Sequence, residues 1–207
     1  MCNLYRMRRS SAEVATLFAA SLPHQFNAGE EVYPGATGLV VTEGEGARVL
    51  RSMVWGFPLP QKSKKTGQPI KPKPVNNIAN LDSFMWRHIS GRPANRCLIP
   101  VTEFAEAEGE KGAKTRTWFS VRDRPAFAWA GMWRDSEEWG SVYSGLMTDA
   151  NAAVAPVHDR MPVILHADEH DAWLHGDIED VRAFQARVFA PELIAIERTQ
   201  DPWLRRN

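Results

Sequence analysis

The second half of the chain is a succession of short apolar segments, and their spacing constrains the fold more than any other feature. Runs of β-branched and aromatic residues alternate with turn-forming residues, which is typical of strands rather than helices. Strands are predicted at Cys97–Val101, Trp118–Val121, Ala126–Trp133, Ser141–Thr148 and Pro162–Leu165. Short strands with turns between them predict a curved, largely antiparallel sheet or an open barrel.

The rest of the chain predicts peripheral helices and a few more strands. Ser10 and Glu13 have the spacing of a capping box, followed by apolar residues at helical spacing. We expect helices at Ser11–Leu22, Asn80–Ile89, Asp168–Leu174 (ended by Gly176) and Ile178–Val188. Strands are expected at Glu31–Val41 (broken at Pro34-Gly35), Ala47–Phe57 and Leu193–Ile196, and a turn at 42–46 would make the first two a hairpin. Residues 58–75, rich in Pro and Lys, are expected to form a long loop. With no repeat or linker, residues 1–207 are expected to form a single α+β domain with a curved, mostly antiparallel β-barrel-like core and peripheral helices.

Charge and composition set limits on the class of protein. The chain has 25 basic and 25 acidic residues, so its net charge is zero, but thirteen of the basic and only six of the acidic residues lie in residues 1–96. Either this basic half faces phosphates or the two halves pair across the fold. The sequence has neither an apolar run long enough to span a membrane nor a secretory signal, and its two cysteines suit a reducing compartment. We therefore expect a cytoplasmic protein with no membrane partner, acting as a monomer.

Cys2 follows the initiator methionine, a position that allows chemistry closed to an internal cysteine. Methionine aminopeptidases act before small residues, and loss of Met1 leaves an α-amine and a thiol on one residue. The amine condenses with an aldehyde, and the thiol then closes a five-membered ring on the imine carbon. Many proteins carry Cys2 without using it, so its position alone does not establish a function.

Two further residues are candidates for proton transfer. Glu106 comes shortly after an apolar strand, where a carboxylate is easily directed into a cleft, and His158 stands between apolar and charged neighbours that can tune its pKa. A single Glu or His is more often structural. Cys97, inside an apolar strand, is expected to be an inert core residue.

A five-residue segment offers a rival interpretation. His166, Glu169 and His170 match the H-x-x-E-H pattern of one class of zinc peptidases. That pattern requires both histidines on one face of a continuous helix, whereas His166 follows an apolar strand and Asp168 has the character of a helix N-cap. A zinc peptidase is therefore the alternative, and no metal site is expected.

Several blocks occur in a recognisable order along the chain: Met1-Cys2-Asn3-Leu4-Tyr5, Val54-Trp55-Gly56-Phe57, Asn77-Ile78-Ala79-Asn80, Arg96-Cys97-Leu98-Ile99-Pro100, Phe104-x-Glu106, Ala130-Gly131-x-Trp133, Thr148-x-Ala150-Asn151 and His158-Asp159-Arg160-Met161-Pro162. Together they resemble the SOS-response-associated peptidase family of abasic-site sensors, from Met1 to about Leu174. The resemblance implies one α+β domain with a barrel-like core that binds single-stranded DNA and attaches covalently to abasic sites, without a cofactor.

The resemblance also implies roles for individual residues. Cys2 would form a thiazolidine with C1′ of the ring-opened sugar, and Asn77 would hold the sugar or the amine. Glu106 would shuttle protons, and His158 would assist ring opening and release. The family's peptidase name reflects a proposed self-removal of Met1. Expected DNA contacts are Trp55, by stacking, and Pro34, Thr148, Arg160, Lys71 and Lys73; the loop lysines equally suit a solvated surface.

This sequence departs from the family pattern in four places. Ala79 and Leu4 stand where many relatives have arginine, and the block around Glu106 lacks the usual glycine and final tryptophan. Asn76 adjoins Asn77, which leaves the register of the active-site asparagine open by one residue. A non-catalytic single-stranded DNA-binding module with an incidental Cys2 therefore remains a second alternative.

Overall fold

The computed structural model describes residues 2–26, 29–44 and 46–203. Its strands are β1 (Tyr5–Arg6), β2 (Glu31–Val32), β3 (Thr37–Gly44), β4 (Ala47–Trp55), β5 (Phe57–Lys62), β6 (Pro69–Val75), β7 (Asn77–Ile78), β8 (Arg96–Val101), β9 (Glu103–Glu108), β10 (Thr115–Val121), β11 (Phe127–Ser136), β12 (Gly140–Asp149), β13 (Arg160–Pro162), β14 (Ile164–Leu165) and β15 (Ile194–Pro202). Its α-helices are α1 (Ser11–Leu17), α2 (His170–His175) and α3 (Ile178–Ala186), with 3₁₀ turns at Pro93–Asn95, Ala167–Glu169 and Pro191–Leu193. Met1, whose removal the sequence analysis invokes, and Glu45 of the predicted turn lie outside the described residues.

The larger sheet closes on itself. Strands β12, β4, β3, β8 and β11 pair in that order, and β11 pairs again with β12, which completes a ring. All of these pairings are antiparallel except β12 with β4, so the expected barrel-like, mostly antiparallel core is confirmed. Strands β7 and β13 extend β12 beyond the ring. The ring therefore brings the segments around Asn77 and Arg160 to the same end of one strand.

A close approach inside the ring explains one glycine. The indole of Trp129 is fully buried, and its Nε1–H donates to the Leu146 carbonyl at 2.7 Å. A Cβ on Gly145 would lie 2.0 Å from that ring, so only glycine leaves room for it.

A second, five-stranded sheet carries the N-terminus. Its order is β15-β10-β9-β1-β2, and β1, only two residues long, lies between β9 and β2. Tyr5 is opposite Phe104 on one side and Val32 on the other. The inner faces of the two sheets share one apolar cluster, which holds β1 in the interior.

The helices cover the ends of these sheets. Ser10 and Glu13 form the predicted capping box of α1, but the helix ends at Leu17 because the chain turns to pair Ser21 with β4. The buried Arg96 guanidinium donates to the carbonyls of Trp173 and Gly176 at 2.9 and 2.7 Å, which satisfies the C-terminal end of α2.

Two predicted segments were wrong, one strand was missed, and the predicted turn at 42–46 is too long, because residues 42–44 continue β3. Residues 58–75 form the β5–β6 hairpin rather than a loop, because a two-stranded ribbon has outward-facing positions where proline loses no hydrogen bond. Residues 80–89 form turns rather than a helix: the Asn80 side chain accepts from the Asp82 N–H, and Trp86 packs on Phe57. Glu106 lies inside its own strand, β9, which the sequence analysis missed because its residues alternate with charges.

Candidate active site

Cys2 is completely buried, although most chain termini are loosely held. The next residues run directly into β1, where the Leu4 carbonyl accepts from the Ala105 N–H at 2.9 Å. The Cys2 thiol donates to the Leu4 carbonyl, with Sγ and O 3.6 Å apart. Burial, followed by the negative charge of Glu106, raises the pKa of the thiol well above its ordinary value. The thiol is therefore held neutral in an apolar site until a base removes its proton.

Two adjacent asparagine side chains donate hydrogen bonds to the carbonyl oxygen of Cys2. The Nδ2 atoms of Asn76 and Asn77 lie 2.9 and 2.8 Å from that oxygen, and Asn76 Nδ2 is also 3.2 Å from Asn3 Oδ1. Asn76, which the sequence analysis left open as an alternative to Asn77, therefore lies beside Cys2 as Asn77 does, and contact with Cys2 does not distinguish the two.

The barrel holds the backbone of the asparagine segment, residues 75–77, by hydrogen bonds. The Asn76 carbonyl accepts from the Trp55 indole N–H at 3.1 Å and from the Gly145 N–H at 3.0 Å. The Ser144 hydroxyl donates to the Val75 carbonyl at 2.6 Å. These bonds place both amide side chains against Cys2 with little freedom to move.

Trp55 therefore has a different place from the one expected. Its side chain is fully buried and makes edge-to-face contacts with Tyr5 and Trp129, with ring centroids 5.0 and 5.8 Å apart. A base cannot stack on this indole, so the expected stacking role does not fit the structure. Trp55 instead supports the asparagine segment.

Glu106 is the acidic residue of the site. It lies in the middle of β9, opposite Thr117 of β10, and is 3% exposed. Strands β1 and β9 are antiparallel, and Tyr5 is opposite Phe104. Glu106, two residues after Phe104, therefore lies towards the end of β1 that Cys2 precedes. Burial raises its pKa from 4.5 to about 7. A carboxyl with this pKa gives and takes a proton with similar ease at neutral pH.

His158 approaches from the loop before β13. Its Nδ1 accepts from the Arg160 backbone N–H at 3.0 Å, and Asp159 Oδ1 is 2.9 Å from the same nitrogen. Burial lowers the pKa of His158, and a ring nitrogen that accepts from a backbone N–H carries no proton. We therefore treat the imidazole as neutral, with its proton on Nε2, so that the Asp159 contact is neither an ion pair nor a hydrogen bond.

The same charges act on Glu106 and His158. Beyond burial, Asp159 raises and Lys114 lowers the pKa of both groups. The pKa values of the carboxyl and of the imidazole therefore respond to the same two charged side chains.

The other expected DNA contacts lie outside the buried centre. Pro34 is half-buried, and Lys71 and Lys73 are exposed on β6. Thr148 is 3% exposed, and its hydroxyl donates to the Arg187 carbonyl at 3.3 Å. Arg160 borders a surface pocket described below.

The histidines of the rival zinc motif are on different elements. His166 precedes a 3₁₀ turn and stacks on Phe189, whereas His170 begins α2 and stacks on Phe18. Burial lowers the pKa of His170 to about 4. Glu169 accepts from the His166 N–H at 2.8 Å and pairs with Arg187. The geometry of a helical zinc motif is therefore not formed.

In residues 2–26, 29–44 and 46–203, no group of three or more His, Cys, Asp or Glu side chains is arranged to hold a metal ion. Over the same ranges, no helix has the length and apolarity to cross a membrane. Both cysteines are free and buried.

The fold and the buried N-terminal cysteine site define a known class of protein. The sequence matches the SOS response associated peptidase (SRAP) family over residues 1–197. The chain belongs to this family.

Individual relatives are distant in sequence and similar in fold. The abasic site processing proteins YoaM and YobE of Bacillus subtilis are each 27% identical, over 66% and 75% of this chain. The alignments span 60% of YoaM and 79% of YobE. Solved structures from Bordetella bronchiseptica and Bacteroides thetaiotaomicron superpose with TM-scores of 0.78 and 0.77 at 19% and 18% identity, covering 96% and 95% of this chain and 99% and 91% of theirs. These similarities show that the fold is shared.

Proposed function

We propose that this protein is a covalent sensor of abasic sites in single-stranded DNA, and that Cys2, freed of Met1, forms a thiazolidine with the ring-opened sugar. The observation that carries the proposal is the burial of Cys2 against two asparagine amides, beside a carboxyl whose pKa is about 7. Family membership and the relatives' names as abasic site processing proteins support it.

The reaction begins with opening of the sugar. An abasic deoxyribose is mostly a closed hemiacetal, so its aldehyde must be released before an amine can attack. His158, neutral and partly exposed, is suited to move the proton between the hydroxyl and the ring oxygen. Asn77 Oδ1 is buried and has no hydrogen-bond partner among the described residues, so it is available to accept from the sugar or the amine.

The covalent steps then require one proton relay. The Cys2 amine adds to C1′, and Glu106 in its acid form protonates the departing hydroxyl, so that water leaves and a protonated imine forms. The carboxylate next takes the thiol proton as sulfur bonds to C1′; the C=N electron pair moves onto the nitrogen, which keeps its proton, and Glu106 is again in its acid form. Because amine and thiol belong to one residue, ring closure has a large proximity advantage.

A crosslinking assay tests the proposal. Protein whose Met1 removal has been verified by mass spectrometry is incubated with an oligonucleotide carrying one abasic site and analysed after denaturation. We expect a crosslink with the wild type and with Cys97→Ala, which removes the other buried thiol, and none with Cys2→Ala. Cys2→Ser should form only an imine, which survives denaturation after borohydride reduction.

The substrate control is a tetrahydrofuran analogue, which has no aldehyde. A crosslink to this analogue, a crosslink retained in Cys2→Ala, or no crosslink at all would overturn the proposal. Reversible binding without a crosslink would favour a simple DNA-binding module. Self-removal of Met1 is tested by expressing Glu106→Gln in cells that lack methionine aminopeptidase activity: retained Met1 in the variant alone would support it.

A further inference from the structure

A polar pocket of about 340 Å³ opens beside the candidate active site. It is lined by Ala79, Thr148, Asp149, Arg160, Arg182 and Gln185. Arg182 and Gln185 belong to α3, an element to which neither the sequence analysis nor the proposed chemistry gives a role.

Two walls of the pocket continue from active-site residues. Ala79 directly follows β7, which begins with Asn77, and Arg160 begins β13, two residues after His158. The walls are tied together, because Arg160 Nη2 donates to the Ala79 carbonyl at 3.3 Å. A DNA strand whose abasic sugar lies between Asn77 and His158 would therefore pass its next backbone group along this pocket.

The lining presents two guanidinium groups whose carboxylate partners are exposed. Arg160 Nη1 lies 2.9 Å from Asp149, whose side chain is 80% exposed, and Arg182 pairs with Asp82 and Glu179. A phosphodiester carries one negative charge and accepts such donors.

Arg182 is held only loosely on the opposite wall. Its Nη2 lies 2.7 Å from Asp82 Oδ1, but the two side chains are 45% and 68% exposed. An ion pair this exposed contributes little free energy, so another anion can readily replace Asp82 as the partner of the guanidinium. The small side chain of Ala79 leaves the intervening space open.

We infer that Arg182 of α3 adds a contact to a DNA phosphodiester adjacent to the abasic sugar, and that Asp82 competes for this arginine. The inference rests on the proposed function for the identity of the DNA. It makes α3 part of the DNA-binding surface, opposite Arg160. Because the chain has zero net charge, DNA is attracted by local arginines such as these rather than by the protein as a whole.

The test uses reversible binding, which does not depend on the covalent reaction. Fluorescence anisotropy measures the dissociation constant for single-stranded DNA that contains a tetrahydrofuran abasic analogue. We expect Arg182→Gln to weaken binding by about threefold to tenfold and to reduce the slope of log K against log salt by ~0.7, the value for one phosphate on a single strand. Asp82→Asn, which removes the competing carboxylate, should tighten binding.

The opposite signs separate phosphate binding from a structural ion pair. If the pair only held α3 in place, Arg182→Gln and Asp82→Asn would change binding in the same direction, and that result would overturn the inference. Arg9→Gln, which removes an exposed arginine paired with Glu13 on another helix, is the matched control and should leave binding unchanged.

A neutral backbone linkage locates the contact. With a methylphosphonate placed on one side of the analogue, the difference between wild type and Arg182→Gln should disappear for one of the two linkages. A difference that persists with both linkages would contradict the assignment. Failure of the proposed function is distinct, because it appears as loss of the crosslink in the wild type while these binding measurements still report on the pocket.

Discussion

Replacing Glu106 with glutamine should change the pH dependence of stability in a defined way. Glu106 is buried in β9, where its pKa is about 7 instead of 4.5. Glutamine has nearly the same shape but does not ionise. The comparison therefore isolates the free energy of ionising one buried carboxyl.

The sign follows from where the proton is bound. Below pH 4.5 both the folded and the unfolded chain hold the proton, and above pH 7 neither does. Between these values only the folded chain holds it, so folding takes up a proton and the wild type loses stability as the pH rises. At 1.36 kcal/mol per pH unit, the loss over this window is about 3 kcal/mol.

Urea unfolding of both proteins in the same N-terminal form, at intervals from pH 4 to pH 8.5, measures this difference. The unfolding free energy of Glu106→Gln minus that of the wild type should rise by about 3 kcal/mol across the window and then level off. Groups common to both proteins, including His158 and Cys2, largely cancel in the subtraction. A difference that stays constant with pH would refute the argument that burial sets the pKa of Glu106.

Three further changes have expected outcomes. Single-turnover crosslinking should slow by about fivefold in Asn76→Ala or Asn77→Ala, since each variant keeps one hydrogen bond to the Cys2 carbonyl. The double variant leaves that buried carbonyl unpaired, so its activation free energy should rise by more than the sum of the two single effects. Simple additivity would contradict joint binding of the carbonyl by both amides. Gly38→Ala should lower the free energy of unfolding by about 1–3 kcal/mol, because its Cβ would lie 2.1 Å from both the Tyr5 and the Tyr143 hydroxyl oxygens; an unchanged melting temperature would disprove this crowding. Ser10→Ala removes the capping box of α1 and should cost ~1 kcal/mol in urea unfolding, with Ser83→Ala, a partly exposed serine outside any helix, for comparison.

Features that depend on neighbouring residues were predictable. The apolar segments after Arg96 became β8, β10, β11 and β12 because alternation and β-branched side chains act over a few residues. The capping box at Ser10 formed for the same reason. That Cys2 without Met1 would carry an amine and a thiol also follows from its position alone, since both groups belong to one residue; its reaction with an aldehyde stays a prediction.

Features that depend on long-range strand pairing were not predictable from the sequence. The lysine-rich hairpin of β5 and β6 forms because two segments meet, and each of them alone has the composition of a loop. The strand β9 reads as charged and irregular, yet it is fixed by β1 on one side and β10 on the other. Local patterns contain no information about which partners will supply these hydrogen bonds.

The active site shows the same division. The sequence by itself determined which groups were available: the Cys2 aminothiol, Glu106, His158 and an asparagine pair. Only the tertiary structure decided that Trp55 is buried behind Asn76 rather than exposed to DNA, and that both asparagines hold the Cys2 carbonyl. Burial also decided the pKa of Glu106, because the free energy of a charge depends on all the groups that replace water around it, and these come from strands distant in the chain.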